Sequence, residues 1–166
     1  MATEYENILS QRSKKLNVKV QEFVAIKTLV DLLLDIDIET KHFENFFASF
    51  TIEQIGKEFD LIKLDKGKLV LNIELKSEDV GVDVIQNQLE KNRYYLKHLA
   101  PDVRLYTFVE STKELYKYTS KGVKIVELED LKDTMELLQK SLGENIESLF
   151  QANNYLISPL NTPVSY

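Results

Sequence analysis

From Phe59 to Lys76 the apolar residues recur at nearly every second position on either side of one short break, a period that a helix cannot satisfy. "FDLIKL" (Phe59–Leu64) and "KLVLNIELK" (Lys68–Lys76) flank Asp65–Gly67, and three connecting residues with Gly last suit a type I turn closed by a left-handed residue. The pattern therefore predicts a β-hairpin. In its second arm Leu69, Leu71, Ile73 and Leu75 alternate with Val70, Asn72, Glu74 and Lys76, so Glu74 and Lys76 share one face. With Leu64 paired to Lys68 across the loop, Asp60 falls opposite Asn72. Glu74 then lies one diagonal step from Asp60, roughly 7–8 Å between Cβ atoms.

Around the hairpin the period is helical. Val20, Phe23, Val24, Ile26, Lys27, Val30 and Leu33 predict a helix over about 19–34, and Phe43, Phe46, Phe47 and Phe50 predict a second helical segment whose aromatic stripe is core packing. A long helix is expected from near Ser77–Asp79 until Pro101 stops it, with Glu78 or Asp79 favouring its positive start. "VRLYTFV" (Val103–Val109) has the near-continuous apolarity of a central strand buried on both faces. "LYKY" and "VKIV", joined across "TSKG", predict a further hairpin, and Leu128–Leu142 a last amphipathic helix. The order is helices, hairpin, helix, strand, hairpin, helix. This is an α/β (α+β) arrangement, a central mixed sheet flanked by helices.

A chain of 166 residues fits one domain, expected over 1–150, with 151–166 ("…NNYLISPLNTPVSY" at its end) as a tail or linker. Cysteine is absent, which excludes disulfides and thiolate metal sites and fits a reducing compartment. The opening "MATEYE" lacks the basic start and apolar run of a signal peptide, and no stretch approaches the roughly 20 apolar residues that cross a bilayer. The expectation is a cytoplasmic protein without a membrane partner. A net charge of −6 argues against a free-standing, non-specific nucleic-acid binder. Residues 57–97 are nevertheless balanced, with eight basic and eight acidic side chains.

The predicted register brings Asp60, Glu74 and Lys76 to one face. Hard divalent ions such as Mg²⁺ prefer oxygen ligands, commonly one or two carboxylates with several waters. Such an ion acidifies a water and stabilises charge growing on a phosphate. Lys76 could orient that water or neutralise the phosphorane. A solvated strand face is the plainer reading, because an acidic residue followed by Glu-x-Lys is a weak motif. The following helix shifts the balance. Ile85, Leu89, Leu96 and Leu99 form its buried stripe, and Gln88, Asn92 and Tyr95 lie beside or within it. Buried amides there must find partners or line a site. Lys91, Arg93 and Lys97 are available for phosphate contacts or as a solvated face.

Other candidates are weaker. His42 and His98 stand alone, without the partners that zinc or a nucleophilic triad needs. No GxxxxGK[ST] loop occurs around Gly56 or Gly67, so no ATPase is expected of this chain. Tyr94, Tyr95, Tyr106, Tyr116 and Tyr118 could stack on bases, although predicted strand and helix positions suit packing.

"IGKEFDLIKL", "LNIELKSE", "QLEKNRYYL" and "YTFVESTKELYK" resemble the PD-(D/E)XK nuclease superfamily, and more closely the nuclease-like N-terminal domain of certain bacterial DNA/RNA helicases. The similarity spans roughly Phe43–Tyr118, and "SPLNTP" looks like the lead into a helicase motor. The resemblance implies a restriction-endonuclease-like core, with Asp60 and Glu74 as metal ligands, the Leu75 carbonyl as an extra ligand, Lys76 as the catalytic lysine and Gln88 as the downstream helix glutamine. Phe59 stands where the superfamily name has proline. A third acidic ligand would come from the first helix, with Glu22 and Glu44 as candidates. The implied activity is Mg²⁺- or Mn²⁺-dependent endonucleolytic cleavage of nucleic acid, with DNA the expected substrate, working with a helicase domain or subunit in DNA processing or defence against foreign DNA. The rival expectation is a catalytically inactive module that kept the fold and binds nucleic acid or regulates a helicase.

Overall fold

The computed structural model describes residues 20–138. Helix α1 (20–35) leads through a 3-10 turn (Thr40–Phe43) into β1 (Phe47–Ile52), β2 (Lys57–Asp65) and β3 (Leu69–Lys76). Helix α2 (Val82–Leu96) then crosses to β4 (Asp102–Val109), followed by β5 (Glu114–Thr119), β6 (Gly122–Val126) and α3 (Leu128–Leu137). The six strands lie in sequence order, antiparallel throughout except for the parallel β3–β4 pair. The result is an α/β fold, a six-stranded mixed sheet with three helices packed against it. Among the described residues no helix is long and apolar enough to cross a membrane. The 151–166 tail, the 1–150 boundary and the end of the last helix at Leu142 fall outside the described residues.

Each face of the sheet has its own core. Helix α2 presents Ile85, Leu89 and Leu96 to Ile62, Leu64, Val70 and Leu105. On the other face α1 (Ala25, Leu29, Leu33) and α3 (Leu131, Met135) cover Leu71, Ile73, Leu75, Tyr106 and Phe108. Strand β4 is buried on both faces, as its continuous apolarity predicts.

Two expectations need correction. The hairpin loop is one residue later than predicted. Asp65 pairs with Leu69 across Lys66–Lys68, with Gly67 left-handed at φ 77°. Asn72 therefore stands opposite Ile62, and the same register carried one step past Leu61–Ile73 sets Asp60 against Glu74 directly. The side-chain faces survive, because the register moves by an even number of positions.

The second correction concerns the phenylalanines. Phe43 ends a 3-10 turn, whereas Phe47 and Phe50 lie in strand β1 rather than in a helix. Phe47 pairs with Ile62 and Phe50 with Phe59, and all four contribute to the α2-side core. Strict alternation would put Phe47 and Phe50 on opposite faces. Ser49 adopts a left-handed φ of 53° and the ladder skips the Ser49–Asp60 step, so alternation restarts there on both strands. That reset gives β1 the three-residue spacing of a helix.

Candidate functional site

The reset falls where the chemistry is. Beyond Leu61 and Ile73 the β2–β3 ladder gives way to two carboxylates that replace backbone partners. The Asp60 N–H donates to Glu74 Oε2 at 3.0 Å, and the Leu75 N–H donates to Asp60 Oδ2 at 2.8 Å. Leu75 thus meets the site through its N–H, while the expectation for it concerned its carbonyl.

Glu74 is not on a wet face. It is 1% exposed, under α2, and accepts hydrogen bonds from Asn72 Nδ2 on Oε2 (2.9 Å) and from Gln88 Nε2 on Oε1 (2.8 Å). Asn72, itself fully buried, also donates to the Leu61 carbonyl and accepts from Asn92 Nδ2 at 2.7 Å. The two helix amides Gln88 and Asn92, one turn apart, therefore hold the strand residues Glu74 and Asn72 in place. Gln88 Oε1, Asn92 Oδ1 and the hydroxyl of Thr107, which pairs with Glu74 across β3–β4, are buried and make no hydrogen bond among the described residues.

Three donors do not compensate for this burial. Loss of water, and then the neighbouring Asp60 charge, push the Glu74 carboxyl up to about 7, against hydrogen bonds from Asn72 and the Asp60 N–H that favour the anion. Asp60 is raised too, chiefly by burial. Lys76 at the end of β3 is half-buried and within electrostatic reach of Asp60.

On its other side Asp60 meets two further acids. Carboxylate oxygens of Glu22 (α1), Glu58 and Asp60 all lie within 4.8 Å of one another, a spacing that a single divalent ion could bridge. A cavity of about 200 Å³ opens beside this cluster, and its walls include Glu22 from α1 and Leu75, Lys76 and Glu78 from the end of β3 and beyond. Of the two first-helix candidates, Glu22 reaches Asp60. Glu44, after the 3-10 turn, belongs instead with Lys41, His42 and Lys63 around a separate cavity.

The structure thus gathers Asp60, Glu74, Lys76 and Gln88 around the β2–β3 ends and adds Glu22, Glu58, Asn72 and Asn92. Asp60 is the hub of the cluster with ligand-like spacing. Glu74 stands behind it, both of its oxygens already engaged by donors. Hard oxygen donors at this spacing fit Mg²⁺ or Mn²⁺, and the absence of sulfur and histidine ligands fits no softer metal. Glu58 shares Asp60's face by strand alternation but was not singled out in the sequence, because one more acid on a mixed-charge strand start carries no motif of its own. Compared with protein-family models, with curated proteins and with solved structures, the chain matches none.

Proposed function

We propose that the chain is a metal-dependent nuclease domain that hydrolyses phosphodiester bonds of nucleic acid, with DNA as the proposed substrate, on a restriction-endonuclease-like core. The observation that carries this reading is the convergence on Asp60 of acids from three elements, Glu22 on α1, Glu58 on β2 and Glu74 on β3, with Lys76 alongside. Glu22, Glu58 and Asp60 would hold the ion, and Glu74 would add its charge from behind Asp60. When bound, Mg²⁺ or Mn²⁺ supplies a positive centre that polarises a phosphate oxygen and acidifies water. Lys76 orients the attacking water and offsets charge on the phosphate, while Gln88 and Asn72 fix the Glu74 carboxylate through their amides. The phosphorus gains an oxygen from water and releases the bridging sugar oxygen. Cooperation with a helicase motor, in DNA processing or defence, rests on the sequence resemblance.

The test is incubation of plasmid and single-stranded DNA with the full chain and Mg²⁺ or Mn²⁺, beside Asp60→Asn, Glu74→Ala and Lys76→Ala. Cleavage lost in all three variants is the expected result; cleavage that survives them overturns the site. One observation favours a second reading, an inactive nucleic-acid-binding or regulatory module: Glu74 is sealed by three donors and pushed up to about 7. Metal binding without cleavage under any condition would select it.

A further inference from the structure

Within the nuclease reading, on which this inference rests, we propose that Lys57 is a phosphate-contacting residue and that it forms, with Lys91 of α2, a basic edge beside the Asp60 cluster that meets the nucleic-acid backbone. The charges around Asp60 are sorted by side. Glu22 and Glu58 stand on the α1 side. Lys57, by contrast, faces α2. Its ammonium sits 5.3 Å from the centre of the Phe59 ring, and Phe59 belongs to the core beneath α2. Successive residues on a strand point to opposite faces, so Lys57 and Glu58 diverge as the pleat requires. The alternation reset at Ser49 and Asp60 is what leaves Asp60 between the two sides.

Lys57 is within electrostatic reach of Glu74, Asp60, Lys76 and Lys91, yet it closes no ion pair among the described residues. An ammonium carries three donors, and the ring face beneath Lys57 satisfies none of them. A phosphodiester arriving over the Asp60 cluster would supply the missing acceptors. It would also put its negative charge between Lys57 and Lys91, which otherwise repel each other. A chain with a net charge of −6 gains from such a basic edge what its overall field does not give. Sequence pattern alone gave no pointer to Lys57, since it lies three residues before Asp60 in an ordinary mixed-charge strand start.

The experiment measures binding of a fluorescent DNA duplex and single strand to the full chain in Ca²⁺ across a salt series, with Mn²⁺ affinity measured separately by calorimetry. Lys57→Met keeps the aliphatic stem over Phe59 and removes the charge; Lys57→Arg restores it. Lys57→Met should weaken DNA binding about three- to tenfold and reduce the salt slope by about 1, with similar losses for different sequences. Lys57→Arg should recover most of both, and Mn²⁺ affinity in Lys57→Met should equal or exceed that of the wild-type chain. Wild-type affinity and slope in Lys57→Met would overturn the assignment of Lys57 alone. So would a loss of DNA binding matched by a loss of Mn²⁺ binding, since Lys57 would then serve the acids and not the phosphate. A wild-type chain that binds Mn²⁺ but no DNA of either form would overturn the nuclease reading and this inference with it.

Discussion

Two polar networks lie on opposite faces of the same sheet, and they handle charge in opposite ways. Under α3, Asp130 accepts from the Tyr106 hydroxyl at 2.5 Å and pairs with Lys117 at 2.9 Å; Thr134 meets the Tyr106 hydroxyl at 2.9 Å and Arg104 at 3.0 Å. Burial pulls Asp130 upward, but the hydrogen bonds from Tyr106 and Lys117 outweigh it and hold the carboxyl below its usual range. Under α2, Glu74 receives only neutral amide donors and faces a second acid. One network is neutralised by its own residues and serves the fold. The other sets Glu74 against Asp60 with no cation bonded to either among the described residues, which is a cost to folding that a bound cation would offset.

The sharpest way to break this contrast is to remove the acids themselves. On the proposed nuclease reading, Asp60→Asn should reduce hydrolysis about a thousandfold, equivalent to roughly 4 kcal/mol of transition-state stabilisation, and should weaken Mn²⁺ binding measured by calorimetry. Asp130→Asn should leave Mn²⁺ affinity unchanged. Equal effects from the two would erase the distinction between a working network and a structural one.

The pH dependence of stability should carry the same contrast with opposite signs. Folding raises Glu74 from 4.5 to about 7, so the folded state binds the extra proton, and stability falls as pH climbs through that window. The fall should amount to about 3 kcal/mol. Glu74→Gln should abolish it in thermal melts, because Gln88, whose Oε1 is uncommitted, can turn over to accept from the introduced amide. For Asp130 the folded value is depressed, so its contribution is present at neutral pH and fades on acidification through the low carboxylate range. Asp130→Asn should flatten that acid limb and lower stability at pH 7 by about 1 kcal/mol, the modest size expected of a half-exposed pair. Opposite slopes that collapse in the wrong variants would refute the assignment of each limb.

The smallest effect tests the orphaned atoms. Thr107 is fully buried beside Glu74 and its hydroxyl has no partner among the described residues. Thr107→Val should stabilise the chain by about 1 kcal/mol. Destabilisation of that size would mean that the hydroxyl is hydrogen-bonded to ordered water under α2.

The sequence was most legible where one period runs unbroken. The hairpin, α2, the buried strand β4 and the β5–β6 hairpin follow from alternation, helical spacing and turn residues, because each rests on local contacts. Strand β1 was not legible. Its pattern is interrupted at Ser49, and a positive φ on serine leaves no trace in hydrophobic spacing. The site divides by motif instead. Asp60, Glu74, Lys76 and Gln88 lie around one strand pair and its following helix, whereas Glu58 and Lys57, set beside Asp60 and Phe59 by simple alternation, carry no motif that marks them as more than solvated charges.

The one parallel pairing in the sheet bears on how the chain folds. Strands β1–β2–β3 and β4–β5–β6 are two local meanders that can form independently through hairpins. Joining them requires α2 to cross over and β3 to meet β4, the step of longest loop closure and slowest kind of pairing. Glu74 lies on β3 under α2, so its carboxylate is sealed from water only at that step. The repulsion within the site is therefore felt near the end of folding, and substitutions at Glu74 should alter the unfolding rate more than the folding rate.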